Sequence, residues 1–164
     1  MGLILDTSVL ISAERKKLAW DELMRSLERE SFFIASITLS ELWHGCHRAT
    51  SAFLRNRLKF VKQVESLIPV LEFGAEEALV HARIWADLEK IGQKIGDHDL
   101  IIAATALTHD YAVATLNESE FKRIPKLRLT SVKPFLLKLP YFTAATSASS
   151  VSTFAPCWRS TMRR

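Results

Sequence analysis

Apolar residues in this chain come in short blocks with two kinds of spacing. "GLIL" (2–5) is a continuous apolar run that ends abruptly at Asp6 and predicts a buried strand. "TSVLISAE" follows with helical character. Leu18, Leu23 and Leu27 mark a second helical stretch, with "WDELMRSLERE" polar on its outer face. "FFIAS" reads as a second strand, and "ITLSELWHGCHRA" begins another helix. In "AFLRNRLKFVKQVESL", the residues Phe53, Leu54, Leu58, Val61, Val64 and Leu67 follow the period of an amphipathic helix. "IPVLEF" suits a strand or an extended connection. "GAEEALVHARIWADLEKIG" predicts a helix with Leu79, Ile84, Trp85 and Leu88 facing inward. "DLIIAATALTH" is apolar nearly all round, which predicts a helix in the middle of the molecule. "YAVATL", "ESEFKRI" and "LRLTSV" read as a strand, a helical turn and a last strand.

Short strands alternating with helices predict an α/β protein with a central, mostly parallel sheet and helices on both faces. Ligands of such sheets bind beyond the carboxyl ends of the strands, where Asp6 is expected to lie. From about residue 141 the composition turns small and polar, as in "TAATSASSVSTFAPCWRSTMRR". The expectation is one domain over 1–138 and a disordered extension over 139–164.

Composition narrows the class. With 164 residues, 48% hydrophobic and 24% charged, the chain suits one globular domain with a real core. The formal charge of +4 is partly a property of the tail. Three of the 22 lysines and arginines, Arg159, Arg163 and Arg164, lie after residue 141, where there is no acid; without them 19 basic residues face 18 acidic ones. Affinity for nucleic acid must then come from local patches. Cys46 and Cys157 form no metal-binding or redox pattern. No apolar run reaches the roughly 20 residues of a membrane helix, and the start lacks the basic segment of a signal peptide. A cytoplasmic protein is expected.

The acids carry the candidate chemistry, and each has two readings. Asp6 suits the N-cap of the helix after the first strand or a metal ligand at the strand end. Glu41 lies three residues after Thr38, the spacing of a capping box. Asp97 and Asp99 both fall at the start of the apolar helix, where the helix dipole favours negative charge. Asp97 suffices as N-cap. Asp99 is then surplus beside Leu100 and Ile101, and a carboxylate there calls for a cation. Glu120, near Asn117, suits a short helical turn as well as a site. The histidines show no zinc-ligand pair, and Arg55, Arg57, Lys59 and Lys62 read as a solvated helix face. Taken together, carboxylates at strand ends and helix starts on one sheet edge suit Mg²⁺ or Mn²⁺.

Four segments in order, "ILDTSVLI", "SELWHGCHRA", "GDHDLIIAATAL" and "VATLNESEFKRIPKLRL", give the chain a pattern that resembles the PIN-domain ribonucleases, and within them the VapC toxins of bacterial toxin–antitoxin modules. The resemblance covers residues 1 to about 133. It implies a PIN-like three-layer α/β/α fold and a Mg²⁺-dependent endoribonuclease acting on single-stranded regions of RNA, tRNA or mRNA, with Mn²⁺ as a substitute ion. It implies Asp6, Glu41 and Asp99 as the metal-binding and catalytic acids, and leaves Asp97 to the helix. Where many relatives carry a fourth acid this chain has Asn117, so Asn117 and Glu120 enter as further catalytic candidates, with Thr115 as a hydrogen-bond partner. It also implies a homodimer inhibited by a VapB-like antitoxin, whose Arg would reach into the acid cluster. Arg48, Lys122 and Arg123 are candidates for flanking phosphates. The alternatives are a metal-dependent nuclease or phosphatase on another phosphate ester, and a non-catalytic PIN-like binding domain. A receiver-like domain would carry two early acids, and "LDTS" has one.

Overall fold

Strand β1 (Gly2–Leu5) is buried along its whole length, and its alternation sends neighbouring side chains to opposite sides of the sheet. Leu3 and Leu5 join one hydrophobic cluster and Ile4 joins another. The same split recurs in β2 (Ser31–Ala35) and β4 (Ala112–Thr115): Ile34, Ala112 and Ala114 lie on the first side, Ala35 and Val113 on the second. Strands β3 (Val70–Leu71) and β5 (Leu129–Ser131) complete a five-stranded sheet in the order β3-β2-β1-β4-β5. Every adjacent pair is parallel. The computed structural model describes residues 2–137; the extension expected over 139–164, and Cys157 within it, lie outside the described residues.

Seven α-helices occur among the described residues: α1 (Thr7–Glu14), α2 (Trp20–Ser26), α3 (Ser36–His47), α4 (Ser51–Leu67), α5 (Ala75–Lys90), α6 (Asp97–Thr108) and the short α7 (Glu118–Phe121). Val9, Leu10, Leu23, Met24, Leu42, Val61 and Val64 close the first face. Ile84, Leu88, Ile102, Ala103, Ala104, Ala106 and Phe121 close the second. The expected three-layer α/β/α architecture is thus the one observed. Helix α6 lies where its all-round apolarity predicts, with Ile102, Ala103, Ala104 and Ala106 fully buried. Its alanines permit close approach to the sheet and to α5.

Three expected core residues are instead exposed: Phe53 at 65%, Leu79 at 65% and Trp85 at 54%. Helix α5 packs through Ile84 and Leu88. Leu79, five residues before Ile84, lies about 140° round the helix from it, and Trp85 about 100°. Phe53 is similarly rotated, by about 80°, from the Val61 that anchors α4. The expected N-caps also change. Helix α3 begins at Ser36 behind Ala35, so Thr38 is inside the first turn, fully buried, and no capping box joins it to Glu41. Helix α6 is preceded by Gly96, so Asp97 is its first residue and not its cap.

The chain runs from β1 outward through β2 to β3, then returns to place β4 on the other side of β1. The direction of winding therefore switches between β1 and β4, the position at which parallel α/β sheets bind ligands. The Asp6 N–H donates to the Ala114 carbonyl at 3.0 Å, locking the end of β1 to that of β4. No described helix is long and apolar enough to cross a membrane.

Ile102 anchors the helix that carries Asp99, so Ile102→Ala should destabilise the fold by about 2–5 kcal/mol through lost contacts and a residual cavity. Urea unfolding with an unchanged m-value would show this as a lower midpoint.

Candidate active site

Asp6 follows β1 immediately and is buried. Its backbone carbonyl accepts the Val9 and Leu10 N–H groups, so it is the N-cap of α1 by position, but its side chain makes no cap bond. The carboxylate is used elsewhere. Its Oδ2 accepts the Ser8 hydroxyl at 2.5 Å and the Thr115 hydroxyl at 2.7 Å. Thr115, the last residue of β4, in turn accepts the Asn117 N–H at 2.9 Å. Ser8 accepts the Leu116 N–H at 3.1 Å. Two hydroxyls thus fix Asp6 across the seam between β1 and β4.

Glu41 reaches the same edge from the second turn of α3, which leaves β2 without an intervening loop. Its Oε2 accepts the Thr7 hydroxyl at 2.5 Å, and its Oε1 is 2.8 Å from His98 Nδ1. The carboxylate that spacing offered to a helix cap is held by residues 34 and 57 positions away. Asp99, in the first turn of α6, is partly buried, and its Oδ2 accepts the Asn117 side-chain N–H at 2.8 Å. Asn117 therefore orients an acid and supplies no charge of its own. Asp97, two residues earlier, is exposed and lines a different cleft, with His81 and Trp85 of α5.

The electrostatics follow from this crowding. Burial pushes the Asp6 carboxyl above its ordinary value; the Ser8 and Thr115 hydrogen bonds oppose the shift, and repulsion from Glu41 adds to it. Asp99 is pushed up to about 6. Burial contributes most, followed by the charge of Asp6, with smaller repulsions from Glu41 and Glu120 and an opposing hydrogen bond from Asn117. A group of hard oxygen donors that repel one another and are braced by neutral hydroxyls and an amide suits a divalent cation. Among the described residues no three of His, Cys, Asp and Glu stand close enough to share one ion. Asp6, the largest charge acting on Asp99, makes these two the pair best suited to hold it.

The remaining candidates stand at the rim. Glu120 is felt by Asp99, but its carboxylate pairs with Arg123 at 3.1 Å. Arg123 also donates to the Lys94 carbonyl, and Lys122 pairs with Glu118 at 3.2 Å. Two residues now joined to the site, Thr7 and Ser8, are visible in the sequence only as hydroxyls directly after Asp6. His98 is visible only as the residue between two acids.

Comparison with known proteins identifies the family. The family model described as PIN domain matches residues 3–127. A ribonuclease VapC of Rickettsia bellii is 43% identical over 136 residues, covering 80% of this chain and 97% of that protein. A tRNA(fMet)-specific endonuclease VapC of Salmonella typhimurium is 30% identical over 126 residues, covering 77% and 94%. Among solved structures, VapBC2 of Rickettsia felis bound to a DNA fragment from their promoter superposes with a TM-score of 0.74 at 27% identity, covering 80% of this chain and 98% of that one.

Raised carboxyl values give a signed stability prediction. Asp99 holds its proton more tightly in the folded protein than in the unfolded chain. Its favourable contribution is therefore complete below pH 4 and is lost as the pH rises through about 6. In metal-free protein, Asp99→Asn should raise Tm by a few degrees at pH 8 and leave it nearly unchanged at pH 4. The effect is on the order of 1 kcal/mol once solvent screening of a half-buried side chain is allowed for. Thermal melts in chelator across that range would measure it.

Proposed function

The chain belongs to the PIN-domain family and is an endoribonuclease of the VapC toxin type; we propose that it uses Mg²⁺, or Mn²⁺ in its place, to cut single-stranded regions of RNA. The observation that carries the reading is the gathering of Asp6, Glu41 and Asp99 from three separate segments at the switch point of the sheet, with Asp99 pushed up to about 6 by burial and by its acidic neighbours.

Asp6 and Asp99 would hold the cation. Each has its Oδ2 engaged by a side-chain donor, and neither Oδ1 receives a side-chain hydrogen bond from the described residues. Glu41 has both oxygens engaged by Thr7 and His98, which suits contact through water. A bound divalent cation supplies an activated water and offsets the charge of the scissile phosphate. Thr115 and Ser8 keep Asp6 fixed in place, and Asn117 does the same for Asp99, so little reorganisation accompanies substrate binding. Unpaired RNA presents its backbone to such an edge more readily than a duplex does. RNA as substrate fits a cytoplasmic location.

The inhibitory partner is a VapB-like antitoxin. We place its docking segment in a second cleft of about 280 Å³ between α1, α2 and α4, lined by Leu10, Ala13, Trp20, Phe60, Val64 and Ile68. An amphipathic helix lays its apolar face into a cleft of this kind. The exposed Leu79 and Trp85 of α5 offer apolar surface for the expected homodimer.

Asp6→Asn and Asp99→Asn should each abolish Mg²⁺-dependent cleavage of a single-stranded RNA, with the fold intact by circular dichroism. Asp97→Asn should keep most of it. A gel-based cleavage assay on total tRNA and on an unstructured oligonucleotide checks all three, and parental rates in either of the first two variants would remove the site. Ala13→Arg, which fills the apolar cleft with charge, should weaken antitoxin binding by roughly tenfold or more. Titration calorimetry reads that loss directly.

A further inference from the structure

Glu41 and His98 face more than the carboxylate cluster. Both also line a cavity of about 440 Å³ between α1, α3 and α4. Its wall carries three guanidinium groups, those of Arg15, Arg48 and Arg57, against two carboxylates, Glu14 and Glu41. Arg57 is committed to the fold: it donates to the Gly45 carbonyl at 2.7 Å and lies 3.5 Å from Glu14. Arg15 and Arg48 are not. They follow the last turns of α1 and α3, both are exposed, and neither side chain has a hydrogen bond or ion pair among the described residues. The basic residues that follow α7 differ. Lys122 is paired with Glu118, and Arg123 is held by Glu120 and by the Lys94 carbonyl.

We propose that this cavity is the path of the RNA strand on one side of the cut, with Arg15 and Arg48 each binding a phosphate. The inference rests on the ribonuclease reading and adds to it the direction in which the strand leaves the site. A polymer cut at the carboxylate cluster must continue past it, and its phosphates are repelled by the acids there. The free guanidiniums that line this cavity together with Glu41 offer those phosphates the paired, charge-assisted hydrogen bonds that arginine forms best. The neighbouring apolar cleft suits a helix of a protein partner. The guanidinium-lined one suits a polyanion.

The test is steady-state cleavage of a fluorescent single-stranded RNA with Mg²⁺ at several KCl concentrations. The double variant Arg15→Gln/Arg48→Gln should raise KM by about tenfold or more, with kcat within about twofold. Its slope of log(1/KM) against log[KCl] should be shallower by about 1.4, the value for two lost single-strand phosphate contacts. Arg15→Lys/Arg48→Lys should recover most of the affinity. Arg55→Gln/Lys62→Gln, which removes the same charge from the outer face of α4, should leave KM unchanged. The proposal is overturned if the glutamine variant keeps the parental KM and salt slope, or if the loss appears in Lys122→Gln/Arg123→Gln instead. It is equally overturned if the glutamine variant loses antitoxin affinity and binds RNA as before. A parent protein that cuts no RNA would remove the ribonuclease reading itself, which is distinct from a parent that cuts while the Arg15/Arg48 variant cuts equally well. Circular dichroism guards against misfolding, and because both side chains are exposed and unpaired, a lost melting transition would also count against the assigned free state.

Discussion

Mutual repulsion among carboxylates is the constraint around which this molecule is arranged. Asp6, Glu41 and Asp99 come from a strand end, a helix second turn and a helix start, and none brings a cationic side chain with it except His98, which becomes one only when protonated. Their bracing comes mostly from neutral groups. Hydroxyls of Thr7, Ser8 and Thr115 and the amide of Asn117 satisfy one oxygen at a time without cancelling the charge. Such a cluster is unfavourable by itself, and a cation held by the same oxygens would couple its binding to folding.

The sheet makes this arrangement possible. Because β1 is central and β4 lies beside it, the residue after β1 and the last residue of β4 meet across one hydrogen-bonding distance. Parallel strands place both carboxyl ends on the same edge, and helices α3 and α6 bring their acids to it. The alternating side chains of β1 tie that edge to both hydrophobic clusters at once, so the position of Asp6 depends on packing on both faces.

Much of this was legible in the sequence. The alternation of apolar blocks gave the strands and helices, and the abrupt end of "GLIL" marked Asp6. Glu41 was ambiguous because Thr38 and Glu41 have capping-box spacing, and nothing local reveals that α3 starts directly from β2 at Ser36. Leu79 and Trp85 read as inward because α5 has apolar residues on two faces, and only its contact with α6 selects one. The braces were the least legible part. The Thr115–Asp6 bond spans 109 positions, and a hydroxyl pattern at one end says nothing about its partner at the other.

The braces also cross between segments. Thr7 stands next to Asp6 yet holds Glu41, His98 stands next to Asp99 yet also holds Glu41, and the β4 end supplies Thr115 to Asp6 and Asn117 to Asp99. Three of the four stretches, the β1 end, the start of α6 and the β4 end, therefore support an acid that belongs to another. A chimera that took the β1 end or the start of α6 from a distant relative would inherit that stretch's acid but change the support of Glu41. Within this fold the four stretches work as a set, because a change at 7, 98, 115 or 117 removes support from an acid elsewhere in the chain.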